Sequence, residues 1–245
     1  MCGAMSERPP ILETSRLGRR YASRWALVDV SLRMAEGGAL LVTGRNGSGK
    51  SSLLRVLATA IRPSRGTARV AGLDVVADRD RVRRQVAYLS HQLHAYEALT
   101  VAENLRIAAR FLGGNAARAP LGDLLARVGL EGRGDDPVSI LSAGLRRRLA
   151  LARLLLQDAR VLLLDEPYAQ LDPTGFALID SVVRGARERG ATVVLVTHVL
   201  EGARELCDRA IRLDGGRIVW AGSASDIQTV ATAAGVVGEQ RENGA

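Results

Sequence analysis

Short, almost unbroken apolar runs alternate with segments in which apolar residues recur every three or four positions, a pattern that predicts an α/β chain. Ala39-Leu40-Leu41-Val42-Thr43, Val161-Leu162-Leu163-Leu164-Asp165 and Thr192-Val193-Val194-Leu195-Val196-Thr197 read as strands apolar on both faces, as in a buried parallel sheet. Helical spacing runs through Ser51-Ser52-Leu53-Leu54-Arg55-Val56-Leu57, then Val101, Leu105, Ala108, Ala109 and Leu112, then Leu121, Leu124, Leu125 and Val128, and again over about Gly175 to Arg189. That last segment lies between two strands, so a right-handed crossover in a parallel sheet is expected. From Tyr21 to about Val76 short strands are expected, with turns at Glu36-Gly37-Gly38, Pro63-Ser64-Arg65-Gly66 and Ala71-Gly72. Ala210–Leu213 and Arg217–Trp220 flank Asp214-Gly215-Gly216 as a hairpin. The expected organisation is a disordered leader over 1–10, one domain over 11–222 with an all-helical insert at about 93–157, and a fraying tail over 223–245.

Composition narrows the class. With 245 residues, 47% of them hydrophobic, one α/β domain can bury a large core. No apolar run approaches the roughly 20 residues that span a bilayer, and residues 1–10 carry no hydrophobic signal segment, so a cytoplasmic location is expected. Cys2 and Cys207 lack metal-ligand spacing and read as reduced, unpaired thiols. The net charge of +8 comes from arginines scattered along the chain, and aromatics make up only 3%, too few to stack bases. No nucleic-acid partner is expected.

The one lysine of the chain is Lys50, in Gly44-Arg45-Asn46-Gly47-Ser48-Gly49-Lys50-Ser51. A compact ammonium fits between phosphates where a planar guanidinium does not. The octapeptide follows the phosphate-loop pattern G-x-x-x-x-G-K-[ST] and lies between an expected strand and an expected helix, where backbone N–H groups and the helix N-terminus wrap phosphate oxygens. Residues 44–51 with Ser52 are the candidate nucleotide site, and the Ser51 hydroxyl is a candidate Mg²⁺ ligand. Downstream, the strand Val161–Leu164 ends in Asp165-Glu166-Pro167. Asp165 is the second candidate for the metal, and Glu166 the candidate that polarises the attacking water.

Leu141-Ser142-Ala143-Gly144-Leu145-Arg146-Arg147-Arg148 resembles the signature motif of ATP-binding-cassette (ABC) ATPases, and further motifs of that family follow its order over about residues 15–222. The resemblance implies a P-loop NTPase core with a mainly parallel sheet, an antiparallel β subdomain and an inserted α-helical subdomain. It makes Tyr21 the aromatic that stacks on adenine, His91-Gln92 the Q-loop, Asp172 the D-loop aspartate and His198 the switch histidine. ATP and Mg²⁺ are the implied cofactors. A head-to-tail homodimer is implied too, with two ATP molecules at its interface and Ser142 and Gly144 acting on the partner's nucleotide. Lys50, Glu166 and His198 are the implied catalytic residues.

Two departures from the family pattern matter. The usual Leu-Ser-Gly-Gly-Gln is here Leu-Ser-Ala-Gly-Leu, which keeps the phosphate-facing Ser142 and Gly144. Spacing back from Thr100 puts His91 on the usual glutamine position, yet an amide oxygen suits Mg²⁺ better than imidazole, so Gln92 is the favoured metal ligand and His91 the alternative. The motifs are most similar to those of haem-exporter ATPases in cytochrome c maturation. Membrane permease subunits are the partners that this resemblance implies, with the protein peripheral on the inner face of the cell membrane. Another exporter, of a drug or lipid-like molecule, or a non-transport ABC ATPase acting on ribosomes or nucleic acid, are the alternatives.

Overall fold

The computed structural model describes residues 9–91, 94–113 and 120–227. Among these residues, ten strands form two sheets. An antiparallel sheet has the order β2 (Arg24–Met34), β1 (Leu12–Tyr21), β4 (Arg65–Val70), β5 (Leu73–Asp74). The main sheet runs β10 (Arg217–Ser223), β9 (Arg209–Asp214), β3 (Ala39–Gly44), β8 (Thr192–Val196), β7 (Val161–Asp165), β6 (Val86–Leu89). Its strands from β9 to β6 are parallel, and only β10 is antiparallel to its neighbour.

Seven α-helices are present among the described residues: α1 (Lys50–Leu57), α2 (Arg79–Arg83), α3 (Val101–Leu112), α4 (Leu121–Arg127), α5 (Ala143–Leu155), α6 (Pro173–Glu188) and α7 (Ala203–Leu206). The main sheet is apolar on both faces because both are covered. Leu41, Leu162, Leu164, Val193 and Leu195 pack with the helical segments α3 to α6, while Leu40, Val42, Leu163, Val194 and Val196 pack with α1 and the antiparallel sheet. The helical insert has no separate core: Leu105, Val128 and Leu149 belong to the same cluster as Leu164 and Leu195. Thr100 opens α3 with a capping box, its side chain accepting from Glu103 N–H while Glu103 returns to the Thr100 backbone.

Expected strands and helices are found where the pattern put them, with four differences. The first strand begins at Leu12 rather than near Tyr21. Its period of two is broken by register shifts between Thr14 and Leu17 and between Leu17 and Arg19, with Arg16 at φ 45°, so alternation did not reveal it. Gly66, expected in a turn, lies within β4 opposite that irregularity, at φ 71°, where a Cβ would collide with the Arg16 carbonyl. The four-residue β6 and the five-residue α2 were too short to show a period. Of the expected leader over 1–10 and tail over 223–245, residues 1–8 and 228–245 lie outside the described residues, whereas the start of the tail is ordered: Ser223 ends β10, and Ala224 and Ile227 are buried against the core.

Candidate nucleotide site

Three neighbouring parallel strands deliver the chemistry to one edge. β3, β8 and β7 adjoin in that order, so their C-terminal ends open on the same side, where loops of parallel sheets gather ligands. β3 runs into the phosphate loop, β7 ends at Asp165, and His198 lies just past the end of β8. Because β8 lies between the other two, His198 falls between the loop and Glu166. Its Nε2 is 3.0 Å from Asn46 Oδ1 and 3.3 Å from Glu166 Oε1, and its backbone N–H donates to Glu166 Oε2 at 3.3 Å.

Loop conformation rests on glycine at two points. Gly44 and Gly49 take φ of 140° and 108°, and a Cβ would strike the Leu213 carbonyl from the first and the Ala26 carbonyl from the second. Ser48 N–H closes the turn on the Arg45 carbonyl at 3.1 Å. Lys50 Nζ donates to the carbonyls of Gly44 at 2.7 Å and Arg45 at 3.1 Å, which holds the ammonium across the loop. Burial lowers the Lys50 pKa from the usual lysine range, against the raising effect of the Glu166 and Asp165 charges.

The two motifs meet directly. Ser51 Oγ donates to Asp165 Oδ1 at 3.0 Å, and the Tyr88 hydroxyl donates to Asp165 Oδ2 at 3.3 Å. Burial, reinforced by the Asp165 charge, pushes Tyr88 up to about 12 and keeps it a neutral donor. Asp165 is wholly buried. A hydroxyl and a carboxylate in contact are hard oxygen donors suited to Mg²⁺, whose further ligands are phosphate oxygens and water. No cluster of three His, Cys, Asp or Glu that could hold a metal occurs among the described residues.

In front of these groups lies a cleft of about 710 Å³, within the size range of small-ligand sites, lined in part by Asn46, Lys50, Ser51, Glu166 and His198. Gly47, Gly49, Ser52 and His91 also line it, whereas Gln92 lies outside the described residues. Glu166 stands at φ 50°, and its Oε1 is buried with no hydrogen-bond partner among the described residues. The His198 Nε2 is near Oε1 but is directed to Asn46. A carboxylate oxygen so placed is equipped to accept a proton from water.

Tyr21, Ser142, Gly144 and Asp172 do not line this cleft. Tyr21 ends β1, is 40% exposed, and has its hydroxyl 3.5 Å from Ser52 Oγ, with the Arg19 guanidinium 4.6 Å from its ring centre. Ser142 caps α5, accepting from Leu145 N–H at 3.3 Å, and stays exposed beside Gly144. Leu145, in place of the amide usual in the family, packs against the core. Asp172 caps α6 by accepting from Gly175 N–H at 2.8 Å and pairs with Arg148 at 3.3 Å. The Gly175 bond, then the Thr174 hydroxyl and the Arg148 charge, hold its carboxyl below the usual range.

Sequence reasoning missed Tyr88, Arg24 and Arg55. Arg24 and Arg55 line the cleft, and Arg55 could have been found, since it lies one helical turn past Ser51 on the same face of α1. Tyr88 was hidden because β6 itself gave no signal.

A phosphate loop on β3, a buried aspartate on β7 and an acid-histidine pair between them define a P-loop ATPase. The sequence profile described as "ABC transporter" matches residues 27–169, and this chain belongs to that family. It is 40% identical over 212 residues to the daunorubicin resistance ATP-binding protein DrrA3 of Streptomyces coeruleorubidus, covering 86% of this chain and 67% of that one. It is 38% identical over 200 residues to the cytochrome c biogenesis ATP-binding export protein CcmA of Agrobacterium fabrum, covering 80% of this chain and 93% of that one. A similar solved structure is a dimeric ATP-binding cassette in a post-hydrolysis state with ADP and Pi, with a TM-score of 0.79 at 26% identity over 87% of this chain and 98% of that one. The protein is an ABC transporter ATPase that binds and hydrolyses ATP. None of its described helices is long and apolar enough to cross a membrane.

Proposed function

We propose that this ATPase works as a head-to-tail homodimer on the cytoplasmic face of the cell membrane and drives export through separate permease subunits. The observation that carries the reading is the convergence of Ser51 on Asp165 and of His198 on both Asn46 and Glu166 at one sheet edge. Lys50 and the loop N–H groups bind the phosphates, and Ser51 and Asp165 hold Mg²⁺. The cation supplies charge neutralisation at the β- and γ-phosphates. Glu166 orients the attacking water and takes its proton, while His198 fixes Glu166 relative to the loop. Tyr21 offers a half-exposed ring to the base.

Ser142 is exposed and Gly144 half-buried at the N-terminus of a 13-residue helix, and neither lines the cleft of its own chain. A helix N-terminus favours an anion, so their ligand is the γ-phosphate held by a second copy. Dimerisation also has support from the dimeric cassette described above. For the permease, the docking place is the groove of about 300 Å³ between the helical insert and the main sheet, where Tyr96 is 57% and Phe111 86% exposed. Haem for cytochrome c maturation is the cargo to test first, on the motifs and the CcmA relative. A drug-like molecule is the second, on the daunorubicin-resistance relative.

The test is capture of tagged Glu166→Gln protein from detergent-solubilised native membranes with and without ATP. Recovery of a polytopic membrane protein in ATP-sensitive ratio supports the reading and identifies the permease. Recovery of ribosomes or nucleic acid without such a protein overturns it.

A further inference from the structure

The helix that begins with Ser142 and Gly144 carries, in its first turns, a cation with no obvious reason to be inside the protein. Arg147 is 2% exposed. Its Nε donates to the Pro167 carbonyl at 3.3 Å, its Nη1 to Ser90 at 2.7 Å, and its Nη2 to Asp165 at 3.0 Å and Glu166 at 2.6 Å. Every acceptor is a backbone carbonyl, and none of the described ion pairs includes this guanidinium. Burying a charge is costly, and here the cost is offset by four charge-assisted bonds, three of which converge on one place.

That place is the turn that aims Glu166. Asp165, Glu166 and Pro167 are consecutive, and Ser90 directly precedes His91, which lines the cleft. Glu166 adopts φ 50°, an unfavourable conformation for a residue with a long side chain, which persists only where its surroundings impose it. The Glu166 carbonyl receives Arg147 Nη2 and also the Ala169 N–H at 3.2 Å. We infer that Arg147 is a positioning residue for hydrolysis: its guanidinium holds the Asp165-Glu166-Pro167 turn in the conformation that points the Glu166 carboxylate into the cleft, and ties that turn to the helix bearing Ser142 and Gly144. A lysine cannot replace it, because one nitrogen does not span carbonyls fanned around a planar fork.

The inference rests on Glu166 being the general base, and the experiment separates the two. Single-turnover ATP hydrolysis is measured for the wild type, Arg147→Met, Arg147→Lys, Glu166→Gln and each Arg147 variant combined with Glu166→Gln. Affinity for a fluorescent ATP analogue and the thermal melt are recorded for each. Misaiming the base lowers turnover by about 10²-fold in both Arg147 variants, with nucleotide affinity within about threefold of wild type. In the Glu166→Gln background the Met substitution costs less than about twofold, because it acts through a group already removed.

Turnover within about twofold of wild type in either Arg147 variant, while Glu166→Gln is inactive, overturns the inference alone. So does a loss of the same size in both backgrounds, or affinity falling as far as turnover. If the Met variant does not fold, the charged Lys variant and its Glu166→Gln double mutant carry the test. If the Lys variant also fails to melt cooperatively, Arg147 serves folding only and the inference falls. Undiminished turnover in Glu166→Gln removes the base assignment on which it stands.

Discussion

At the scale of single residues, the site's charges are set by burial and by which neighbour sits closest. Lys50, the sole lysine, stands where a narrow cation fits between phosphates, and its ammonium is already gathered by the carbonyls of Gly44 and Arg45. Replacing Glu166 by Gln keeps the shape and removes the base, so turnover is expected to fall by about 10²- to 10⁴-fold with ATP affinity retained, as read by phosphate release beside nucleotide titration. Burial also fixes the alkaline limit of the fold. Tyr88 is raised from 10.0 to about 12 and Cys207 from 9.0 to about 12. Groups whose pKa is raised on folding contribute stability in full below the unfolded value and lose it as pH climbs through the folded one. Lys50, lowered, works the other way over part of that range but is outnumbered. Stability is therefore expected to fall from about pH 9 to 12, and a melting temperature that rises across that interval would contradict the assigned burial. In the same protein at pH 8, Cys207 should resist thiol reagents until denaturant is added, as mass spectrometry of the labelled peptides would show.

At the scale of elements, the parallel strands were legible because each is apolar on both faces and bounded by turn residues. The helices were legible where they are long and half-buried, as for α3 and α6. What escaped was short or irregular: β1, whose register shifts break its alternation, and β6, whose Tyr88 donates to the Asp165 carboxylate beside Ser51. The start of α3 illustrates how local chemistry stabilises an element beside a proposed docking groove. Thr100→Ala removes the cap and the reciprocal bond to Glu103, and should cost about 1 kcal/mol in a urea melt without altering nucleotide affinity. An unchanged midpoint would show that Leu105 and the packing below it already hold the first turn.

At the scale of the whole molecule, the decisive fact is that Ser142 and Gly144 do not line the cleft of their own chain. If each site uses the loop of one copy and the signature helix of the other, two dead proteins can make a live one. Lys50→Ala and Gly144→Asp proteins should each be inactive alone. Mixed in equal amounts they should regain roughly a quarter of wild-type turnover, since about half the dimers are mixed and each has one intact site. No recovery on mixing, with both variants folded, would rule out the shared site and with it the proposed head-to-tail dimer.

The sequence by itself determined the residue types and their order: a lysine among glycines after a buried strand, a carboxylate pair at the end of another, and a serine-glycine helix start between them. It could do so because phosphate binding needs specific backbone freedom and specific charges, and both are written locally. Only the tertiary structure decided what those residues touch. The strand order β3, β8, β7 places His198 between Asn46 and Glu166, β6 brings Tyr88 to Asp165, and packing of α5 against the sheet delivers Arg147 to the carbonyls of the Glu166 turn. These contacts join residues 18 to 152 positions apart. Sequence periodicity reports which face of an element is buried, whereas the identity of what lies against that face is set by sheet order and helix packing.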